Sequence, residues 1–95
     1  MVATHMSEAM NKILRPWGRA GNAYQRTKLD LGCVGAYTYY SSRLGMWQHI
    51  LQPQLLGRSF FTPEEAMSAI DVVLIELGFK PIDTKEELDK WLLLI

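Results

Sequence analysis

The chain has 95 residues, 48% of them hydrophobic, and equal numbers of basic and acidic side chains give it a formal net charge of zero. This length suits one domain with a modest core and excludes two independently stable domains. The neutral total argues against a dedicated basic nucleic-acid module, and the sequence has no run of about 18 apolar residues that would span a membrane.

The charges are nevertheless sorted along the chain. Residues 1–60 carry seven Lys and Arg against two acidic residues, whereas residues 61–95 carry three against eight. Halves of opposite sign either attract each other, within a chain or between chains, or mark a nucleic-acid surface. The single cysteine, Cys33, excludes an internal disulfide and fits a reducing compartment, so we expect a cytoplasmic protein.

The N-terminus has the composition of a short leader. His5 directly before Met6 is typical of a cloning site, and the preceding residues lack the charged and apolar regions of a secretory signal. We therefore interpret residues 1–5 as a cloning-derived leader and residues 6–95 as a single helical domain.

The first predicted element is a short helix. Ser7 can cap it, and it runs through Leu14, because the residue before Pro16 is biased away from helical geometry. Residues 17–22, with two glycines and an asparagine, are predicted to form a loop.

The middle of the chain is predicted to be one long helix over residues 24–51, bent near residues 32–35 and stopped by Pro53. Glycine, tyrosine and β-branched residues here are typical of a strand, but alternate positions do not separate into polar and apolar faces. A stripe with spacings of three and four favours the helix: Cys33, Tyr37, Tyr40, Leu44, Trp47 and Leu51. A short strand near residues 33–40 is the alternative.

Two capping signals predict the remaining helices. Thr62 followed by Pro63 and Glu65 places a helix start at Pro63, and Gly78 supplies its end. The apolar face of this helix is Ala66, Met67, Ile70, Val73, Leu74 and Leu77. Because Val72 and Ile75 widen that face, we expect burial on two sides.

The second capping signal begins at Thr84 and predicts a helix that runs to the chain end. Its apolar positions are Leu88, Trp91, Leu92 and Ile95. Leu93 and Leu94 add apolar surface beside this face, so we expect the terminus to dock firmly. Together these elements predict an all-α bundle of three to four helices, with an α+β fold as the alternative.

Patterns for catalysis or metal binding are weak. The one candidate nucleophile and base outside the leader are Cys33 and His49, which would lie about 24 Å apart on one helix. Paired carboxylates at positions 64–65 and 86–87 fall in first helical turns, where acids complement the helix dipole. No metal-site spacing is present. We therefore predict no catalytic residue, metal or cofactor.

A basic, aromatic segment carries the strongest functional signal, because it interleaves cations with rings. Such sequences neutralise phosphates and stack bases, and Arg, Trp and Tyr are also favoured at protein interfaces. The residues assigned to partner binding are Trp17, Arg19, Tyr24, Arg26, Lys28 and Arg43. The residues assigned to dimer or core packing are Tyr37, Tyr40, Leu44, Trp47, Leu51 and Trp91.

These patterns favour a small, non-catalytic helical adaptor that binds a protein partner as a homodimer. The dimer follows from apolar stripes on three helices, which exceed what so short a chain can bury. The alternative is an accessory or regulatory protein that binds nucleic acid through the segment 15–43. Its phosphate contacts would be Arg15, Arg19, Arg26, Lys28 and Arg43. Neither interpretation involves a membrane.

Overall fold

A computed structural model describes residues 10–51 and 54–94. Within these ranges the chain has an α+β fold, with six strands in two sheets and, in the C-terminal part, two helices. The strands are Ile13–Leu14 (β1), Gly18–Ala20 (β2), Ala23–Thr27 (β3), Val34–Ser41 (β4), Met46–His49 (β5) and Lys80–Pro81 (β6). The helices are Pro63–Glu76 (α1) and Lys85–Leu92 (α2).

The predicted all-α bundle is therefore wrong, and the α+β alternative has the correct class. Residues 24–51, predicted as one helix, form β3, β4 and β5. The helical spacing is a coincidence of sequence, because Tyr37 pairs with Gln25 and Tyr40 pairs with Trp47 on the opposite face of β4. The alternative contained one short strand near residues 33–40, whereas the structure has strands on both sides of this segment as well.

The sequence of β4 does not alternate between polar and apolar residues because this strand reverses the usual distribution of side chains, in which large apolar residues face inward. Its inward positions hold the small Ala36 and the polar Thr38, both fully buried, while Tyr37 and Tyr39 project from the other face. Alternation of apolar and polar residues marks a strand only when the buried face carries the larger apolar side chains.

β2, β3, β4 and β5 form one antiparallel sheet in chain order. Residues 21–22 join β2 to β3 in a tight turn, with Gly21 at φ 63° and Asn22 at negative φ, as in a type II′ hairpin. The β4–β5 turn, residues 42–45, ends at Gly45 with φ 67°. Because the strands alternate in direction, these two turns lie at the same end of the sheet.

β1 and β6 form a small parallel sheet beside this one. Leu14 on β1 also bridges Lys28, and the amide of Arg15 donates to the carbonyl of Thr27 at 2.9 Å. Residues 13–20 thus run alongside β3, where a helix through Leu14 and a loop at 17–22 were predicted. Ser7, the predicted cap, lies outside the described residues.

α1 begins and ends as the sequence predicts. The Thr62 Oγ1 accepts a hydrogen bond from the amide of Glu65 at 3.2 Å, and Pro63 occupies the first turn. Gly78, at φ 90°, follows the last turn in the left-handed conformation that favours glycine. Local capping chemistry alone was sufficient to place this helix.

α1 buries one side, not two. Its buried residues are Ala66, Ile70, Val73 and Leu74. Val72 and Ile75, expected to be buried, are 57% and 62% exposed. The outer side of α1 therefore faces solvent.

α2 also begins as predicted, because Thr84 Oγ1 accepts a hydrogen bond from the amide of Glu87 at 3.2 Å. The helix ends at Leu92, short of the chain end, and Leu93 and Leu94 are exposed, contrary to the expected docking. Two predicted features, Ile95 and the stop at Pro53, lie outside the described residues. Neither α1 nor α2 is long and apolar enough to cross a membrane.

The core consists of two clusters on opposite sides of β1. Leu14 belongs to the larger cluster, which also contains Ala36, Leu55, Ile70, Val73 and Leu74. Ile13 belongs to the smaller cluster with Leu29 and Ile82, against which α2 packs. Successive side chains of a strand point to opposite faces, so β1 connects the two clusters through adjacent residues.

Candidate functional site

A buried arginine joins three parts of the fold. Arg26 on β3 is fully buried, and its Nε and Nη2 atoms donate to the two carboxylate oxygens of Asp71 on α1 at 3.0 and 2.9 Å. Nη2 also donates to Asp83 at 2.7 Å, and Nη1 donates to the carbonyls of Arg15 and Ile82 at 3.1 and 2.7 Å. All five guanidinium N–H groups are thus used within the chain.

Trp17 completes this cluster. Its indole Nε1 donates to Asp71 at 3.1 Å, and the Arg26 guanidinium lies 5.2 Å from its ring centroid. Two of the six predicted partner-binding residues, Trp17 and Arg26, therefore hold the fold together. The basic and acidic halves of the sequence meet at this point, which supports attraction within the chain as one origin of the charge sorting.

A partly exposed aromatic cluster lies on the face of the sheet against which α1 packs. Ala36 packs against α1, and Thr38 and Tyr40 follow it on the same face of β4. Tyr24 pairs with Thr38 and Trp47 pairs with Tyr40, so they share that face.

Trp47 contacts both of the other rings in this cluster. The Trp47 ring centroid lies 5.8 Å from that of Tyr24 and 5.7 Å from that of Tyr40. Tyr40 is 48% exposed, and the other two rings are half-buried. Arg19 on β2 pairs with Tyr24 and is exposed on the same face. We call Arg19, Tyr24, Tyr40 and Trp47 the aromatic patch.

The strands and turns that carry the aromatic patch are basic. Residues 16–27 and 34–51 contain no Asp or Glu. Arg43 lies exposed in the β4–β5 turn, at the same end of the sheet as Arg19, and Leu44 is exposed beside it. Lys28, also assigned to partner binding, lies at the opposite end, after β3.

Three of the residues assigned to packing lie apart from the patch. Tyr37 is on the other sheet face, with its ring centroid 5.8 Å from that of Tyr39. Leu51 packs against the larger core cluster and Trp91 against the smaller one. The continuous stripe predicted over residues 33–51 does not form, because these residues lie in β4, β5 and the segments around them and not in a helix.

The sequence interpretation missed the outer edge of β2, which no other described strand pairs with, because residues 17–22 were predicted to form a loop. A signal for it was present, since Gly21 and Asn22 between Ala20 and Ala23 have the composition of a two-residue hairpin turn. The carboxylate partners of Arg26 were also missed, and no local pattern points to them.

Cys33 and His49 do not form a nucleophile and base pair. Cys33 is exposed before β4, while His49 pairs with Thr38, five positions farther along, which corresponds to about 17 Å. The amide of Leu51 donates to His49 Nδ1 at 3.1 Å, so Nε2 carries the proton and donates to the carbonyl of Leu55. Cys33 and His49 do not share the helix that was predicted to separate them, although the two side chains are indeed apart.

Comparison with known proteins adds no functional assignment: no family model, curated protein or solved structure matches the chain.

Proposed function

We propose that the protein is a non-catalytic interaction module whose aromatic patch binds a protein partner. The observation that carries the proposal is a set of three partly exposed aromatic rings, with Trp47 in contact with both tyrosines, beside an arginine on one sheet face. Tyr, Trp and Arg supply much of the binding energy at protein interfaces. A cytoplasmic location is part of the proposal and is supported by the single free cysteine.

A protein partner is favoured over nucleic acid because not all of the predicted cations remain available for phosphate contacts. Arg26, one of the residues expected to contact phosphates, uses all its donors internally. Binding to nucleic acid without base readout draws its affinity from many simultaneous phosphate contacts. The rings of the patch also meet at angles of 48° and 63°, so they do not form a flat platform for stacked bases.

The homodimer remains a prediction. It was inferred from apolar stripes on three predicted helices, and the stripe over residues 33–51 does not form, since Tyr37 and Tyr40 lie on opposite faces of β4. The apolar surface that still supports it is the outer side of α1. Val72 and Ile75 lie there within one turn and are both exposed. Light scattering across concentration tests the dimer, since a mass that stays at 10.9 kDa excludes it.

Capture from lysate of the source cells tests the patch, with nuclease treatment to remove nucleic acid. Tyr40→Ala removes a patch ring, and Tyr39→Ala is its matched control, because Tyr39 is the next residue on β4, is 38% exposed and projects from the other face. We expect Tyr40→Ala and Trp47→Ala to lose most of the captured protein and Tyr39→Ala to retain it. Equal capture by all variants, or loss of capture on nuclease treatment alone, contradicts the proposal.

A further inference from the structure

The outer edge of β2 has no neighbouring strand among the described residues. The opposite edge of the sheet is occupied, because Trp47 on β5 exchanges two backbone hydrogen bonds with Phe60, at 2.7 and 3.0 Å. β1 precedes β2 on the same side of β3, and its outer edge is occupied by β6. β2 is therefore the place where this sheet can accept another strand.

The hairpin register directs the backbone N–H and C=O groups of one β2 residue toward this edge. A two-residue turn closes with a hydrogen-bonded pair, here Ala20 with Ala23, and bonded and non-bonded pairs then alternate along the strands. Arg19 and Tyr24 form a non-bonded pair, so the N–H and C=O of Arg19 point away from β3. Within residues 10–51 and 54–94, neither group makes a backbone hydrogen bond outside the sheet.

The side chains at this edge differ between the two faces. On the patch face, the Arg19 guanidinium is exposed, and its Nε donates to the carbonyl of Gly21 at 3.0 Å. On the other face, Gly18 and Ala20 are small, and a Cβ at Gly18 would have its nearest contact at 4.0 Å. An added strand would therefore find a cation on one face and space for large side chains on the other.

We propose that β2 binds an extended, acidic peptide segment of the partner by strand addition. The proposal rests on the proposed function, because it names the conformation and charge of the partner that the aromatic patch contacts. Arg19 and Arg43 lie at the same end of the sheet, and residues 16–27 and 34–51 hold no acidic side chain, so the charge complements an anionic segment. Backbone pairing at Arg19 supplies the register.

This mode predicts a sequence pattern in the peptide. Side chains of an added strand alternate between faces, so acidic residues opposite Arg19 form cross-strand pairs with it. The residues between them lie against Gly18 and Ala20, where bulky apolar side chains fit. An alternating Glu–Val peptide has both properties, an alternating Lys–Val peptide has the opposite charge, and oligothymidylate offers anionic charge without a backbone that can pair with β2.

Fluorescence anisotropy with these three labelled probes tests the proposal. We expect the Glu–Val peptide to bind and the other two to bind at least roughly tenfold more weakly, a difference of about 1.4 kcal/mol. Arg19→Ala should weaken peptide binding several-fold by removing the guanidinium. Arg19→Pro also removes the outward N–H, which β3 does not use, and should abolish the remaining binding; Arg58→Ala is the control cation.

Amide hydrogen exchange in the unmodified protein provides a second measurement that does not depend on variants. The Arg19 amide should exchange rapidly in the free protein and slow down at least tenfold with the Glu–Val peptide bound. Equal binding of the Glu–Val and Lys–Val peptides, or an unprotected Arg19 amide in the complex, overturns strand addition by an acidic segment. Tighter binding of oligothymidylate assigns the surface to nucleic acid and overturns both proposals.

The two proposals fail in different ways. If Tyr40→Ala abolishes lysate capture but the Glu–Val peptide leaves the Arg19 amide unprotected, the patch binds a partner of another chemistry and the strand-addition proposal is wrong. If the peptide protects Arg19 while Tyr40→Ala and Trp47→Ala capture partners normally, β2 binds peptide independently of the patch and the proposed function is wrong.

Discussion

Arg26 on β3 and Asp71 on α1, 45 residues apart in the sequence, are joined by two parallel hydrogen bonds of 3.0 and 2.9 Å. This pair connects the basic half of the chain to the acidic half and fixes α1 against the sheet. Paired geometry of this kind requires both side chains to be held, and Trp17 orients the carboxylate from the other side. Part of the charge asymmetry therefore serves the fold.

Removing the Arg26 side chain should destabilise the protein strongly. Arg26→Met keeps apolar volume but leaves the Asp71 carboxylate without its bidentate partner, which costs about 3 kcal/mol for a buried pair. Urea unfolding measures the loss. Arg19→Met, at an exposed arginine, should stay within about 0.5 kcal/mol of the parent. Similar losses in both variants would show that the cluster does not hold α1.

The two carboxylates that contact Arg26 should contribute unequally. Asp71 is 26% exposed and accepts hydrogen bonds from Arg26 and Trp17, so Asp71→Asn should cost about 2 kcal/mol. Asp83 is 76% exposed and makes one bond, so Asp83→Asn should cost less than about 1 kcal/mol. Urea unfolding at low and high salt tests both values, and a larger loss at Asp83 contradicts this order.

The helices were predictable because their signals are local. Thr62 and Thr84 cap the helices they precede, and Gly78 follows the first, all within a few residues of the elements that they delimit. The sheet was not predictable in the same way. The inward face of β4 carries Ala36 and Thr38 because α1, distant in sequence, packs closely there, and a period-based test has no access to that partner.

The candidate site was predictable only in part. Arg19 and Tyr24 were assigned to partner binding and do share a surface, whereas Tyr40 and Trp47, assigned to packing, lie beside them. Arg26 was assigned to the partner because it lies among aromatic residues in the sequence, and its carboxylate partners, 45 and 57 residues away, leave no local signal. Residue type predicted which side chains matter, but only the strand register decides which of them meet.

Gly35 should not tolerate a side chain. An alanine Cβ there would lie 2.6 Å from Leu14 Cδ2, and Leu14 is fully buried, so the methyl group has no free space into which to move. Overpacking of this kind costs roughly 1–3 kcal/mol. Thermal unfolding of Gly35→Ala measures it, with Gly18→Ala as the control because its nearest contact is at 4.0 Å. An unchanged unfolding temperature for Gly35→Ala would indicate a looser contact between β1 and β4.

The two capping threonines should affect different parts of the protein. Thr62→Ala removes the hydrogen bond to Glu65 at the start of α1, which carries core residues, and should lower global stability by about 1 kcal/mol. Thr84→Ala removes the equivalent bond in α2, which has no fully buried residue. Faster amide exchange confined to residues 85–92 is therefore expected for Thr84→Ala. Global loss from both variants would contradict this division.

Cys33 should react in the native protein. Its side chain is exposed in the turn between β3 and β4, and its Sγ lies 3.7 Å from the carbonyl of Leu31, so nothing in its described surroundings shields it. An aromatic disulfide reagent should label it at a rate within about tenfold of that in urea, since the exposed side chain is accessible to the reagent in both states. Cys33→Ser should leave the urea midpoint unchanged, as expected for an exposed side chain. Labelling that requires unfolding would mean that Cys33 is covered in solution.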